Sequence, residues 1–250
     1  MKLRNIVYIA VICLFAGSAP AAVPAGNPHF SVAFTNCVES IGVGLAPTAN
    51  VRPLVPAEFI PVGEGQPVTP LVVRTARCRI AVAGLPPRSG SIVQIGAVVV
   101  PPDGTGDINN YTIWYYTSDL PLAAALRLTG VDAQFVPTLD YDYDPVSNDF
   151  AVRVPFPGAP RFSVAGTVAP SAAPAGSFLA NWWRKTPAGR IVRMSTSVPS
   201  IAIGGANLTL ATAPGSRLGQ LVGGGVFGFP IIQQFNNFAV AGMTVGSSMP

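Results

Sequence analysis

Short runs rich in Val, Ile, Phe and Tyr recur along the chain, each closed off by a cluster of Gly, Pro, Ser or Asp. That punctuation constrains the fold more than any other feature. Residues 30–38, 71–82, 91–100, 111–117, 134–143, 150–154, 161–168, 178–183, 190–195, 201–210 and 237–244 read as strands. The separators GLPPRSGS, VPPDGTGDINN, PFPGAP, APSAAPAG, KTPAG and APGS carry the turn formers. Helices facing water need Glu, Lys and Arg on their outer sides, yet only 10% of the residues are charged, against 49% apolar. The chain is therefore β-dominated, with ample material for a core. No repeat at a fixed period argues for a propeller or solenoid.

Two short helices interrupt the pattern. TSDLPLAAALRLTGV offers Ser118 or Asp119 as N-cap, an Ala/Leu body to Leu128 and Gly130 just past its end. SRLGQLVGG offers a second, residues 216–221, capped by Ser216. Both are largely apolar and should pack on a sheet face.

Residues 1–22 have the order of a secretory signal peptide: a basic start (Lys2, Arg4), an apolar run over residues 6–16 and small residues around Ala19, Ala21 and Ala22. The apolar run is too short for a stable anchor, and no later segment offers about 18 uninterrupted apolar residues. Residues 23–250 then form a single β-rich domain, secreted or periplasmic, with no stable membrane insertion. Cys37 and Cys78 are the two cysteines left outside the leader, and an oxidising compartment predicts that they are disulfide-bonded. Two cysteines and one distant histidine are too few ligands for structural zinc. The formal charge of +4 falls to about +2 without Lys2 and Arg4, too weak and scattered for nucleic acid.

Several motifs are missing. No G-x-S-x-G and no second histidine exist to build a serine triad, and His29 is the sole histidine. No dinucleotide fingerprint or P-loop occurs, so no nucleotide cofactor is expected. LDYDYDP spaces Asp140, Asp142 and Asp144 two apart, on one side of a strand, with Tyr141 and Tyr143 on the other. Calcium binding there competes with a plain acidic edge, and the edge is favoured; an EF-hand fails because Pro145 and Ala151 stand where glycine and the closing glutamate belong. Alternation puts Glu39 on the face of Cys37, and puts Arg77 and Arg79 together, away from Cys78. A buried Glu39 would find a partner among Arg74, Arg77 and Arg79, in a structural or a catalytic role.

VRPLVPAEF, LVVRTARCRIAVAG, GDINNYTIWYYTSDLPLAAALRLTGV, FLANWW and GSRLGQLVGG together resemble exported bacterial relatives of the acetoacetate decarboxylase-like fold. The resemblance covers most of the chain in order of elements. It implies a single curved β-barrel or cone with an internal cavity and one or two short helices, and places Glu58 on an early VP-x-x-F turn. In acetoacetate decarboxylase a lysine forms a Schiff base and a neighbouring lysine lowers its pKa. That lysine pair is absent here, because Lys185 stands alone outside the leader. It is followed by TPAG, the tip of a hairpin, where an amine stays solvated and protonated.

Three functions are consistent with these residues. The first is an exported barrel holding a small, mainly apolar molecule, with Trp114, Tyr115, Tyr116, Trp182 and Trp183 near the lining. The second is a lyase-type enzyme acting on a small carbonyl or carboxylate substrate without a Schiff base, using Glu39, Glu58 or Arg77. The third is an extracellular interaction module.

Overall fold

The computed structural model describes residues 28–155 and 162–248. The expected leader, residues 1–22, lies outside them, and of the expected PFPGAP turn only Pro155 lies inside. The strands are β1 (Pro28–Pro47), β2 (Val68–Val82), β3 (Arg88–Val98), β4 (Ile108–Thr117), β5 (Ala133–Phe135), β6 (Asp140–Tyr143), β7 (Asp149–Val154), β8 (Phe162–Ala169), β9 (Pro174–Lys185), β10 (Ile191–Thr212), β11 (Val226–Gly228) and β12 (Ile232–Ser248). Three short helices, α1 (Thr48–Val51), α2 (Leu120–Leu128) and α3 (Arg217–Val222), complete the fold. None of the described helices is long and apolar enough to cross a membrane.

All the strands join one 12-stranded sheet. Pairing runs β12-β1-β2-β3-β4-β9-β10, and β10 meets β12 again. This is not the barrel or cone that the resemblance implies. β10 is 22 residues long and its two halves take different neighbours: Ile191 to Ala202 lie against β9, whereas Gly205 to Thr212 lie against β8. From there β8, β7 and β6 run off as a branch. The sheet forks at β10.

Side chains pack on both faces. One core gathers Leu71, Val73, Val93, Ile95, Tyr116, Phe150, Trp183, Leu218, Leu221 and Phe235; the other gathers Val72, Ala76, Cys78, Ile80, Tyr115, Leu122, Leu126, Trp182 and Met194. Neighbours in sequence such as Val72 and Val73 fall into different cores, as the two-residue period of a strand requires.

Both helices expected from the sequence are present. Asp119 accepts from the Leu122 amide at 2.8 Å to cap α2, and Gly130 follows its end at φ 92°. Ser216 caps α3 through the Gly219 amide at 3.0 Å, and Gly223 closes it in the left-handed region. Strand boundaries differ more. The run over residues 134–143 splits into β5 and β6 around a turn closed by Leu139 N–H to the Val136 carbonyl, because Pro137 offers no amide to a ladder. The two expected strands over residues 190–210 are one, β10, which passes Pro199 with a shift of register against β9.

Cys37 and Cys78 form the expected disulfide, across neighbouring strands β1 and β2. It spans 41 residues, so replacing both cysteines by alanine is expected to lower the unfolding free energy by about 4 kcal/mol in a urea titration. An unchanged midpoint and slope would contradict this.

Candidate functional site at the β1–β2 junction

The disulfide sits in a bulge. Thr35 pairs with Arg79 and Val38 with Arg77, so Asn36 and Cys37 together oppose Cys78 alone. Asn36 takes φ 52°, a conformation that asparagine tolerates better than most residues. Beyond the bulge the alternation resumes. Glu39 shares the core face of Cys37 and Ala76, while Val38, Ser40, Thr75, Arg77 and Arg79 take the opposite face.

On the first of these faces Glu39, only 1% exposed, accepts from Arg74 Nε at 2.5 Å and from Asn236 Nδ2 at 3.4 Å. The Asn236 side-chain Oδ1 is buried with no hydrogen-bond partner among the described residues. An acid and a guanidinium withdrawn from water in this way are tolerable only as a pair. On the other face Ser40 and Thr75 share a hydrogen bond of 2.8 Å, and the Tyr141 hydroxyl donates to the Val38 carbonyl at 3.2 Å. Burial, and then the charge of Glu39, push the Tyr141 phenol far above its ordinary range, so it stays a protonated donor.

That second face opens into a cleft of about 250 Å³ lined by Asn36, Val38, Arg77, Arg79, Tyr141 and Tyr143, with Cys78 and Ser89 at its edge. Arg77 donates to the Tyr141 carbonyl at 3.3 Å, and Arg79 to the Pro87 carbonyl at 3.4 Å. Both guanidinium groups lack a carboxylate partner among the described residues. The cleft is therefore cationic, aromatic on one wall and open to solvent.

The remaining candidates lie elsewhere. Glu58 accepts a hydrogen bond from Lys185 Nζ, which holds its carboxyl below the usual carboxylate range. Lys185 ends β9 at the mouth of the expected hairpin, whose Thr186 amide donates to the Arg190 carbonyl. Next to Glu58, Phe59 is buried against Tyr111 and Trp183, at ring separations of 5.0 and 6.2 Å. Glu39, Glu58 and Arg77 are thus not one constellation: Arg77 faces away from Glu39, and Glu58 answers to Lys185. Nor do the aromatic candidates line one cavity. Tyr115 and Trp182 pack in one core, Tyr116 and Trp183 in the other, and Trp114 is half-buried against the latter. Trp183 also donates from Nε1 to Asn109 at 2.9 Å. Asp140 pairs with Arg153, and Asp144 closes a turn through the Val146 amide. No group of three acidic, histidine or cysteine side chains suited to a metal occurs among the described residues.

Asn236 escaped the sequence reading because it is 197 residues from Glu39, with no local signal to join them. Tyr141, 103 residues from Val38, reaches β1 by the same kind of long-range contact.

No protein-family model matches the sequence, and no curated protein does either. Solved structures do. The enduracididine biosynthesis enzyme MppR, complexed with pyruvate, is 14% identical, with a TM-score of 0.58 over 93% of this chain and 94% of that one. An acetoacetate decarboxylase-like enzyme from Sphingomonas wittichii RW1 is 15% identical, with a TM-score of 0.56 over 92% and 98%. The acetoacetate decarboxylase of Legionella pneumophila is 11% identical, with a TM-score of 0.54 over 94% and 93%. The chain has the acetoacetate decarboxylase-like fold. At these identities the likeness is one of fold, and the neighbours named with it are enzymes acting on small molecules.

Within this acetoacetate decarboxylase-like chain the buried pair gives a direct test. Glu39→Gln leaves Arg74 charged in the sheet interior and is expected to cost about 3 kcal/mol of stability, much of it recovered in the double variant with Arg74→Met. Denaturant titrations of the four proteins measure it, and an additive cycle would contradict the pairing. At the rim, Lys185→Met should return the Glu58 carboxyl to its ordinary range in a carboxylate NMR titration. Because the folded pKa of Glu58 is depressed, whatever stability the contact contributes is present above the ordinary carboxylate range and is lost as pH falls through the folded value.

Proposed function

We propose that the protein is a lyase-type enzyme acting on a small substrate that carries a carbonyl and a carboxylate, without a Schiff base on the protein. The observation that carries this reading is the distribution of cations. The sole lysine of the described residues is engaged by Glu58 beside a hairpin, while Arg77 faces an open cleft with no carboxylate to neutralise it. A Schiff-base lysine has to present its amine free to the substrate, and here Glu58 occupies it. The fold supports the substrate class: MppR was crystallised with pyruvate, and other neighbours are acetoacetate decarboxylases.

For a 3-oxo acid the step needs no covalent intermediate. The carbon–carbon bond to the carboxylate breaks, its electron pair moves into the neighbouring carbonyl as an enolate, carbon dioxide leaves, and water returns a proton to carbon. Arg77 supplies a fixed positive charge where the enolate oxygen develops its own. Glu39 would act through Arg74 as a positioning residue, holding β1 and β2 in register beneath the cleft. The disulfide supports an exported setting for this chemistry.

A panel of 3-oxo and 2-oxo acids tests the reading. Lys185→Met should keep kcat/KM within about twofold, whereas Arg77→Gln should lower it about 100-fold. Borohydride added with substrate should leave the protein mass unchanged. Loss of turnover with Lys185→Met, a reduced adduct on Lys185, or no turnover of any acid in the panel would overturn it.

A further inference from the structure

Arg77 and Arg79 stand two residues apart on β2 and share one face, so their backbones are separated by about 7 Å along the strand. Neither side chain is neutralised within the described residues, although Arg52, Arg74, Arg88, Arg153, Lys185 and Arg193 all have acidic partners. Two like charges side by side in one cleft repel each other, and an anion reaching both relieves that repulsion. Each keeps donors to spare, because among the described residues it makes one long hydrogen bond, to a backbone carbonyl. The bulge fixes what lies beneath. Asn36 is the extra residue there, and the disulfide holds the two strands together at the same level, so the arginines project from an anchored floor. Tyr141 and Tyr143, two apart on β6, form the facing wall with Tyr141 tied down to β1.

We propose that this cleft binds a dicarboxylate of four or five carbons, with Arg77 and Arg79 each taking one carboxylate and the carbon chain lying along Tyr141 and Tyr143. The volume, about 250 Å³, is small beside the pockets that hold drug-sized molecules and suits a metabolite of this length. Two guanidinium forks reading two planar carboxylates also distinguish such a ligand from a single oxyanion. The proposal shares with the preceding reading only the cleft and Arg77, which there meets a developing enolate oxygen and here a carboxylate, and Arg79 adds a second contact that acetoacetate, with one carboxylate, would leave unused.

Titration calorimetry with the full chain, in low-salt buffer, tests it with succinate, its monomethyl ester, acetate and inorganic phosphate. Succinate has no carbonyl and cannot be turned over, so binding is read whether or not the protein is an enzyme. Succinate should bind at least about tenfold more tightly than the monoester, and Arg77→Gln or Arg79→Gln should each reduce it to the level of the monoester. Both arginines are on the surface, so unchanged thermal unfolding of the variants separates lost binding from lost folding. Equal affinity for succinate and its monoester, phosphate binding as tight as succinate, undetectable succinate binding, or binding indifferent to both substitutions would overturn the proposal. Turnover of 3-oxo acids without dicarboxylate preference would sink this inference alone, and dicarboxylate binding without any turnover would sink the earlier one alone.

Discussion

The ion pair between Glu39 and Arg74 limits what β1 and β2 are able to do. A carboxylate almost wholly withdrawn from water cannot be left without its guanidinium, so the strands cannot slip by one residue without stranding a charge. The disulfide, two residues from Glu39, fixes the same register covalently, and the bulge in which it sits absorbs the extra residue. With that junction set, alternation decides the rest: Cys37, Glu39, Arg74 and Ala76 belong to a core face, and Arg77 and Arg79 are turned outward together. The cationic cleft is thus the reverse side of a buried pair.

Much of this was legible in the sequence, and for local reasons. Asp119 and Ser216 announce their helices because a side-chain oxygen beside an apolar run satisfies the first free amides. Cys37 and Cys78 announce a disulfide by their number, and TPAG announces a hairpin tip. The two-residue period placed Glu39 with Cys37, and Arg77 with Arg79. What remained hidden depends on the register and connectivity of distant strands. Glu39 had three arginines within reach, and the choice of Arg74 follows from a bulge that no pattern of hydrophobicity reveals. Asn236 and Tyr141 reach β1 from remote parts of the chain. The expected barrel failed for a similar reason, since the fork arises where β10 exchanges β9 for β8 and its sequence reads as ordinary strand on both sides.

The named neighbours with this fold are an enduracididine biosynthesis enzyme complexed with pyruvate, an acetoacetate decarboxylase and an acetoacetate decarboxylase-like enzyme. In this chain the one lysine of the described residues pairs with a surface carboxylate, large aromatic side chains pack into two cores, and the positive charge that faces solvent in a cleft belongs to arginines. An arginine cannot form an imine under ordinary conditions, but it can hold a carboxylate or steady an enolate oxygen without being consumed. On the proposed reading, electrostatic catalysis by Arg77 would take the place of covalent catalysis by a lysine.

If the β1–β2 junction is the rigid frame on which the cleft is built, amide hydrogen exchange will show it. The amides of residues 37–41 and 74–79 should exchange among the slowest in the protein, through global unfolding, and should accelerate when the disulfide is reduced while those of β7 and β8 hold. If they instead exchange quickly through local opening, or reduction leaves them untouched, the junction is not the frame and the account is wrong.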